Sequence, residues 1–130
     1  MNVAENTVRD YLAAMEARDL DRARRLLKPG FTMEFPGPVR MSSLDELLAW
    51  AKARYRFARK TYERYDTCAA DGTTVVYCFG TLSGEWLDGK PFAGIRFIDR
   101  FTLRDGLLAD QTVWNDMGEF RTARADTPTP

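Results

Sequence analysis

The segment 73–118, TTVVYCFGTLSGEWLDGKPFAGIRFIDRFTLRDGLLADQTVWNDMG, decides the fold. Its apolar residues recur at every second position, the period of strands that bury one face. Phe97, Asp99 and Phe101 share one face, and Ile98 lies on the other with Arg96 and Arg100. Gln111, Val113 and Asn115 share a face in the same way, opposite Trp114 and Asp116. Asp71-Gly72, Asp88-Gly89 and Asp105-Gly106 separate strand-like runs over 60–69, 73–87, 91–104 and 108–118. Asp-Gly readily adopts the positive φ of tight hairpin turns, so these runs predict an antiparallel meander.

Upstream of the meander the period is helical. Asn2 followed by Glu5 reads as a helix cap, and Val8, Tyr11, Leu12 and Met15 continue it to about Arg18. Asp19 caps a shorter helix through Leu20, Ala23 and Leu27, which Lys28-Pro29-Gly30 is expected to stop. FTMEF (31–35) alternates as a short strand, ended by Pro36-Gly37-Pro38. Ser43-Leu44-Asp45-Glu46 is a capping box opening a third helix through Leu47, Leu48, Ala51 and Tyr55 to about Arg59. Helices followed by a meander make an α+β domain. The apolar residues Ile98 and Trp114 on the outer sheet face call for a cover, and a second copy of the chain is the simplest one.

Composition narrows the function. The 130 residues carry 19 Lys and Arg against 19 Asp and Glu, so no net charge favours nucleic acid or an anionic membrane. Arg22, Arg24, Arg25 and Lys28 stand beside Asp19 and Asp21 as a solvated helix face. No apolar run is long enough to span a membrane, and the first residues carry no secretory pattern, so a cytoplasmic protein is expected. Cys68 and Cys78 read as reduced thiols. The chain has no histidine, which leaves Asp, Glu, Tyr, Lys or Cys for any proton transfer and argues against a metal or cofactor.

The order helix–helix–strand–helix–meander, over about residues 4–118, resembles the nuclear-transport-factor-2-like superfamily. DLDRARRLL (19–27), the DGKPF turn (88–92) and FTLRDG (101–106) are similar to its SnoaL-like group. The resemblance implies three N-terminal helices on a strongly curved antiparallel sheet, a cone with one internal pocket. The length predicts a single domain, over 1–124, and the polar, Pro-rich composition of 125–130 predicts a disordered tail. Members of the superfamily include isomerases, cyclases, dehydratases, epoxide hydrolases and non-catalytic binders.

Two segments point further. YLAAMEARDLD (11–21) is similar to the first helix of bacterial ketosteroid isomerases, whose tyrosine donates a hydrogen bond to the substrate carbonyl. FIDRF (97–101) is similar to the strand whose aspartic acid donates the second. The matching residues here are Tyr11 and Asp99. Burial among Phe97 and Phe101 is expected to keep Asp99 uncharged and able to donate. The position of the isomerase base reads Phe35, with Glu34 beside it in the opposite strand phase. SnoaL-type cyclases, by resemblance, use an aspartate near the end of the last strand, which makes Asp116 a third catalytic candidate. A bulge would be needed to turn Asp116 inward, and a surface role is the alternative.

The expected ligand site therefore holds Tyr11 and Asp99 at a ligand oxygen, walled by Met15, Phe35, Phe97 and Phe101. Gln111, Val113 and Asn115 join it if their face is the inner one, and Trp50 and Tyr55 stand in the core or at its rim. The expected ligand is a small, largely apolar carbonyl, enol or phenolic compound. Isomerase- or cyclase-type chemistry without metal or histidine is one reading, and a binding or dimerisation module lacking a base is the other.

Overall fold

The computed structural model describes residues 2–125. Helices α1 (Val3–Glu16) and α2 (Leu20–Arg25) lead into strand β1 (Leu27–Phe35) and the short β2 (Val39–Met41). Helix α3 (Leu44–Lys52) precedes the meander β3 (Tyr55–Ala70), β4 (Thr73–Trp86), β5 (Pro91–Arg104) and β6 (Leu107–Asn115), and α4 (Met117–Ala125) follows. The expected polar tail at 126–130 lies outside the described residues, and Ala125 belongs to α4. The architecture is α+β, a single six-stranded curved sheet in the order β2-β1-β6-β5-β4-β3 with helices on its inner face.

Local chemistry sets the starts of the first three helices. The side chains of Asn2, Asp19 and Ser43 accept hydrogen bonds from the backbone N–H groups of Glu5, Arg22 and Glu46. Two of the three Asp-Gly turns have the expected geometry. Asp71 and Gly72 sit at φ of 48° and 76°, and Asp105 and Gly106 at 52° and 77°. Positive φ at both central residues matches the right-handed twist of the flanking strands. The third turn is longer, with Gly89 N donating to Trp86 O and Trp86 N to Lys90 O.

Four features differ from the sequence reading. Helix α3 ends at Lys52, because Tyr55 pairs with Trp86 and the chain from there on follows the two-residue period of β3. Lys28-Pro29-Gly30 is taken into β1 through an irregularity between Leu27 and Thr32, with Gly30 at φ 86°. Strand β1 runs parallel to β6, while β2 folds back antiparallel on β1, with Met33 opposite Met41. The segment after β6 forms a fourth helix, begun where the Asn115 side chain accepts from Met117 N.

The sheet's curvature has a local cause on β4. A Cβ at Gly80 would stand 2.0 Å from the Thr61 carbonyl oxygen and 2.9 Å from Phe97 Cε2. Gly84 is as tight, with Phe57 O at 2.1 Å. Beside them β3 changes register between Tyr62 and Arg64, so that Tyr62 and Tyr65 both reach the inner face and stack at 5.5 Å. Gly80→Ala is therefore expected to destabilise the fold by about 3 kcal/mol or more, since the clash is with backbone. Gly118→Ala, where nothing lies within 4 Å, should be neutral or stabilising by up to about 1 kcal/mol. Urea denaturation of the two variants beside wild type checks the contrast.

Candidate functional site

The inner face of the sheet and helices α1 and α3 enclose a cavity of about 140 Å³. Its wall is mostly apolar: Met15, Phe35, Trp50, Tyr55, Leu82, Phe97 and Val113 all line it. Tyr11 reaches it from α1, Asp99 from β5, and Gln111 and Asn115 from β6. Side chains from two helices and from the inner faces of several strands thus line one cavity. Phe101 is fully buried directly behind Tyr11, with ring centroids 5.9 Å apart, rather than on the wall.

Three buried side-chain atoms in this cavity have no hydrogen-bond partner among the described residues: Tyr11 Oη, Asp99 Oδ1 and Gln111 Oε1. Such atoms each cost about 1–3 kcal/mol when nothing answers them. Burial pushes the Tyr11 phenol well above its ordinary range, and the nearby Asp99 charge pushes it further. Tyr11 therefore keeps its proton at neutral pH and is available as a donor.

Asp99 is not the lone buried acid that the sequence reading expects. Its other oxygen, Oδ2, forms an ion pair with Lys60 Nζ. Asp99 is 0% exposed and Lys60 25%, so the ammonium reaches a fully buried carboxylate from a partly open position. Lys60 Nζ also lies 4.9 Å from the centroid of Phe97. The pair exists because Lys60 stands opposite Leu82 and Asp99 opposite Cys78 on the two sides of β4, both pointing inward. The arrangement supplies two donors, Tyr11 Oη–H and Lys60 Nζ–H, and one open carboxylate oxygen.

Lys60 falls in the strand-like run 60–69, but its period alone does not say which face is the inner one. The available signal was the spacing Ala58, Lys60, Tyr62 at period two. Tyr62 was missed for the same reason and also lines the cavity. Burial, followed by the neighbouring Tyr65 and Asp99, pushes its phenol up as well.

Asp116 lies elsewhere. Its carboxylate accepts from Arg96 Nε, and it is not among the residues lining the cavity. No bulge turns it inward, because Asn115, opposite Phe97, keeps the inner phase to the end of β6. Glu34 pairs with Arg40 at 3.5 Å. Cys78 is buried, and burial followed by the Asp99 charge pushes its thiol up to about 12; Cys68 is exposed, and both are free. Among the described residues no group of three His, Cys, Asp or Glu is placed to hold a metal ion.

A curved sheet closed by N-terminal helices around an apolar cavity fits the family model that the sequence matches, a SnoaL-like domain over residues 8–111. The chain belongs to the SnoaL-like family. No functionally curated protein matches it. Solved structures match at the level of fold. TerC, co-crystallised with polyporic acid, superposes with a TM-score of 0.77 at 18% identity, covering 93% of this chain and 97% of TerC. A SnoaL-like protein from Jannaschia sp. CCS1, a proposed polyketide cyclase, gives 0.71 at 19%, covering 97% and 94%. The proposed polyketide cyclase IdmH from Streptomyces antibioticus gives 0.67 at 17%, covering 94% and 98%.

The ion pair makes a stability prediction. Lys60→Met leaves a buried carboxylate without its counter-charge and should cost about 1–3 kcal/mol. Asp99→Asn added to Lys60→Met should recover part of that loss, which denaturant titration of both singles and the double would measure as coupling. Strict additivity would show that the pair does not interact.

Proposed function

We propose that this SnoaL-like protein acts on a small, largely apolar carbonyl, enol or phenolic compound, with the ligand oxygen held by Tyr11 and Lys60 and Asp99 accepting a proton. The observation that carries this reading is the set of three unanswered polar atoms in an otherwise apolar cavity. A ligand with an oxygen for the two donors and a hydrogen for Asp99 Oδ1 or Gln111 Oε1 offsets their cost.

The chemistry that follows is enolisation. The bond between an acidic carbon and its hydrogen breaks, and the proton moves to Asp99 Oδ1. The electron pair passes to the carbonyl oxygen, where the Tyr11 hydroxyl and the Lys60 ammonium stabilise the developing charge. A dienolate then takes the proton back from Asp99 at another carbon, an isomerisation, or the enolate carbon attacks a second carbonyl of the same molecule and the new alkoxide takes that proton, a cyclisation. The two proposed polyketide cyclases among the structural neighbours favour the second outcome.

A second reading, a binding module without catalysis, is favoured by Phe35. It occupies the expected base position and packs on Trp50 at 5.0 Å. The two readings separate in one assay. In deuterated buffer, wild type is expected to accelerate α-proton exchange of the one-ring ketone phenylacetone, followed by NMR. Asp99→Asn should reduce that rate by about 10²-fold or more. Tyr11→Phe should slow it as well. Tight binding of para-cresol without any exchange would select the binding module instead.

We also propose that the protein is a cytoplasmic homodimer formed through the outer sheet face. Ile98 stands between Phe79 and Trp114 on that face, and Trp114 is 51% exposed. No helix among the described residues is long and apolar enough to cross a membrane. Light scattering at micromolar concentration should give about twice 14.9 kDa for wild type and a smaller mass for Trp114→Glu. A monomeric wild type would refute the interface.

A further inference from the structure

Beside the cavity lies a cluster of cations that the reading above does not use. The chain leaves α3 through Arg54 and Tyr55 in succession. Tyr55 lines the cavity together with Trp50 and Arg18. The Arg54 guanidinium lies over the Trp50 ring at 4.3 Å, and Arg121, from α4, lies over Trp86 at 5.6 Å. Arg54 and Arg121 both line a second, shallow groove together with Trp86, Leu87, Asp88 and Arg124. Met117, four residues before Arg121 at the start of α4, is itself part of the cavity wall.

Among the described residues these cations have no ion-pair partner, unlike their neighbours. Arg124 beside them is answered by Asp88, and Arg56 by Glu85. No carboxylate among the described residues forms an ion pair with Arg18, Arg54 or Arg121. Arg54 Nε is buried and has no hydrogen-bond partner. Burial pushes the Arg121 guanidinium down, and the neighbouring charge of Arg54 pushes it further. The Tyr55 phenol, pushed up by burial, is pulled back by Lys60, Arg18, Arg54 and Arg121 together. Against them the cavity wall carries Asp99, already held by Lys60, and the exposed Glu16, and the groove carries Asp88, already held by Arg124.

We propose that this cluster is a carboxylate site, so that the compound bound in the cavity is a small unsaturated or aromatic acid. Its carboxylate lies between Arg54 and Arg121 beside Tyr55, and its hydroxyl or carbonyl end points to Tyr11 and Asp99. Two half-buried guanidinia with a free N–H match the planar, two-oxygen geometry of a carboxylate. Trp50 and Trp86 form apolar flanks suited to a conjugated body carrying one charge. A cavity of about 140 Å³ limits that body to about one ring, the content of engineered apolar cavities of roughly 150 Å³.

This inference rests on the cavity being a ligand site, and the test separates the two. The probes are para-hydroxycinnamate and its uncharged methyl ester, titrated calorimetrically into the full chain at low salt. Wild type should bind the acid at least about tenfold more tightly than the ester. That preference should shrink as salt rises and fall toward one in Arg54→Gln/Arg121→Gln. Arg121→Gln alone gives an intermediate value and serves if the double variant does not fold. Equal affinity for acid and ester in wild type would overturn the carboxylate site while leaving the cavity reading intact. A preference that survives the double variant would also overturn it. If neither probe binds, the cavity reading fails and takes this inference with it.

Discussion

A carboxylate with no solvent exposure requires an answer, and here the answer is the ammonium of Lys60. Asp99 and Lys60 sit on β5 and β3, separated by the whole width of β4. For their side chains to meet, the inner faces of those strands must converge. That demands a strongly coiled sheet, which in turn demands Gly80 and Gly84 where β3 crowds β4. The pair, the glycines and the change of register near Tyr62 form one constraint, and the cavity is the space that the resulting curvature leaves under α1 and α3.

The same constraint sets the cavity's chemistry. Lys60 takes one oxygen of Asp99 and leaves the other bare. Tyr11, walled by Phe31 and Phe101, keeps its proton and finds no acceptor. Packing alone does not favour such an arrangement, since an apolar pair of the same shape would avoid the desolvation. Groups kept unsatisfied at this cost are a mark of sites that a ligand completes. An ion pair in place of a lone protonated acid also changes the electrostatics. Positive charge and an unanswered carboxylate oxygen face the cavity from the same residue pair.

The residues of the cationic cluster follow from how the elements end. Helix α3 stops early because Tyr55 is claimed by the sheet, and this leaves Arg54 at the corner between helix and strand. Helix α4 returns beside that corner and brings Arg121. Two elements that differ from the sequence reading are therefore the ones that assemble the cluster.

The sequence by itself determined many of the features that depend on neighbours a few residues away. The caps at Asn2, Asp19 and Ser43, the two tight Asp-Gly hairpin turns, and the shared face of Phe97, Asp99 and Phe101 are all local consequences of backbone geometry and side-chain period. The resemblance of two short segments then located Tyr11 and Asp99 in a common cavity. Tertiary structure alone decided the partner of Asp99, the outward place of Asp116, the end of α3, the parallel pairing of β1 with β6, and helix α4. Each of these turns on a contact between residues distant in the chain. Lys60 shows the reason most clearly: whether it points into the cavity depends on its pairing with Leu82, and no local pattern fixes a cross-strand register.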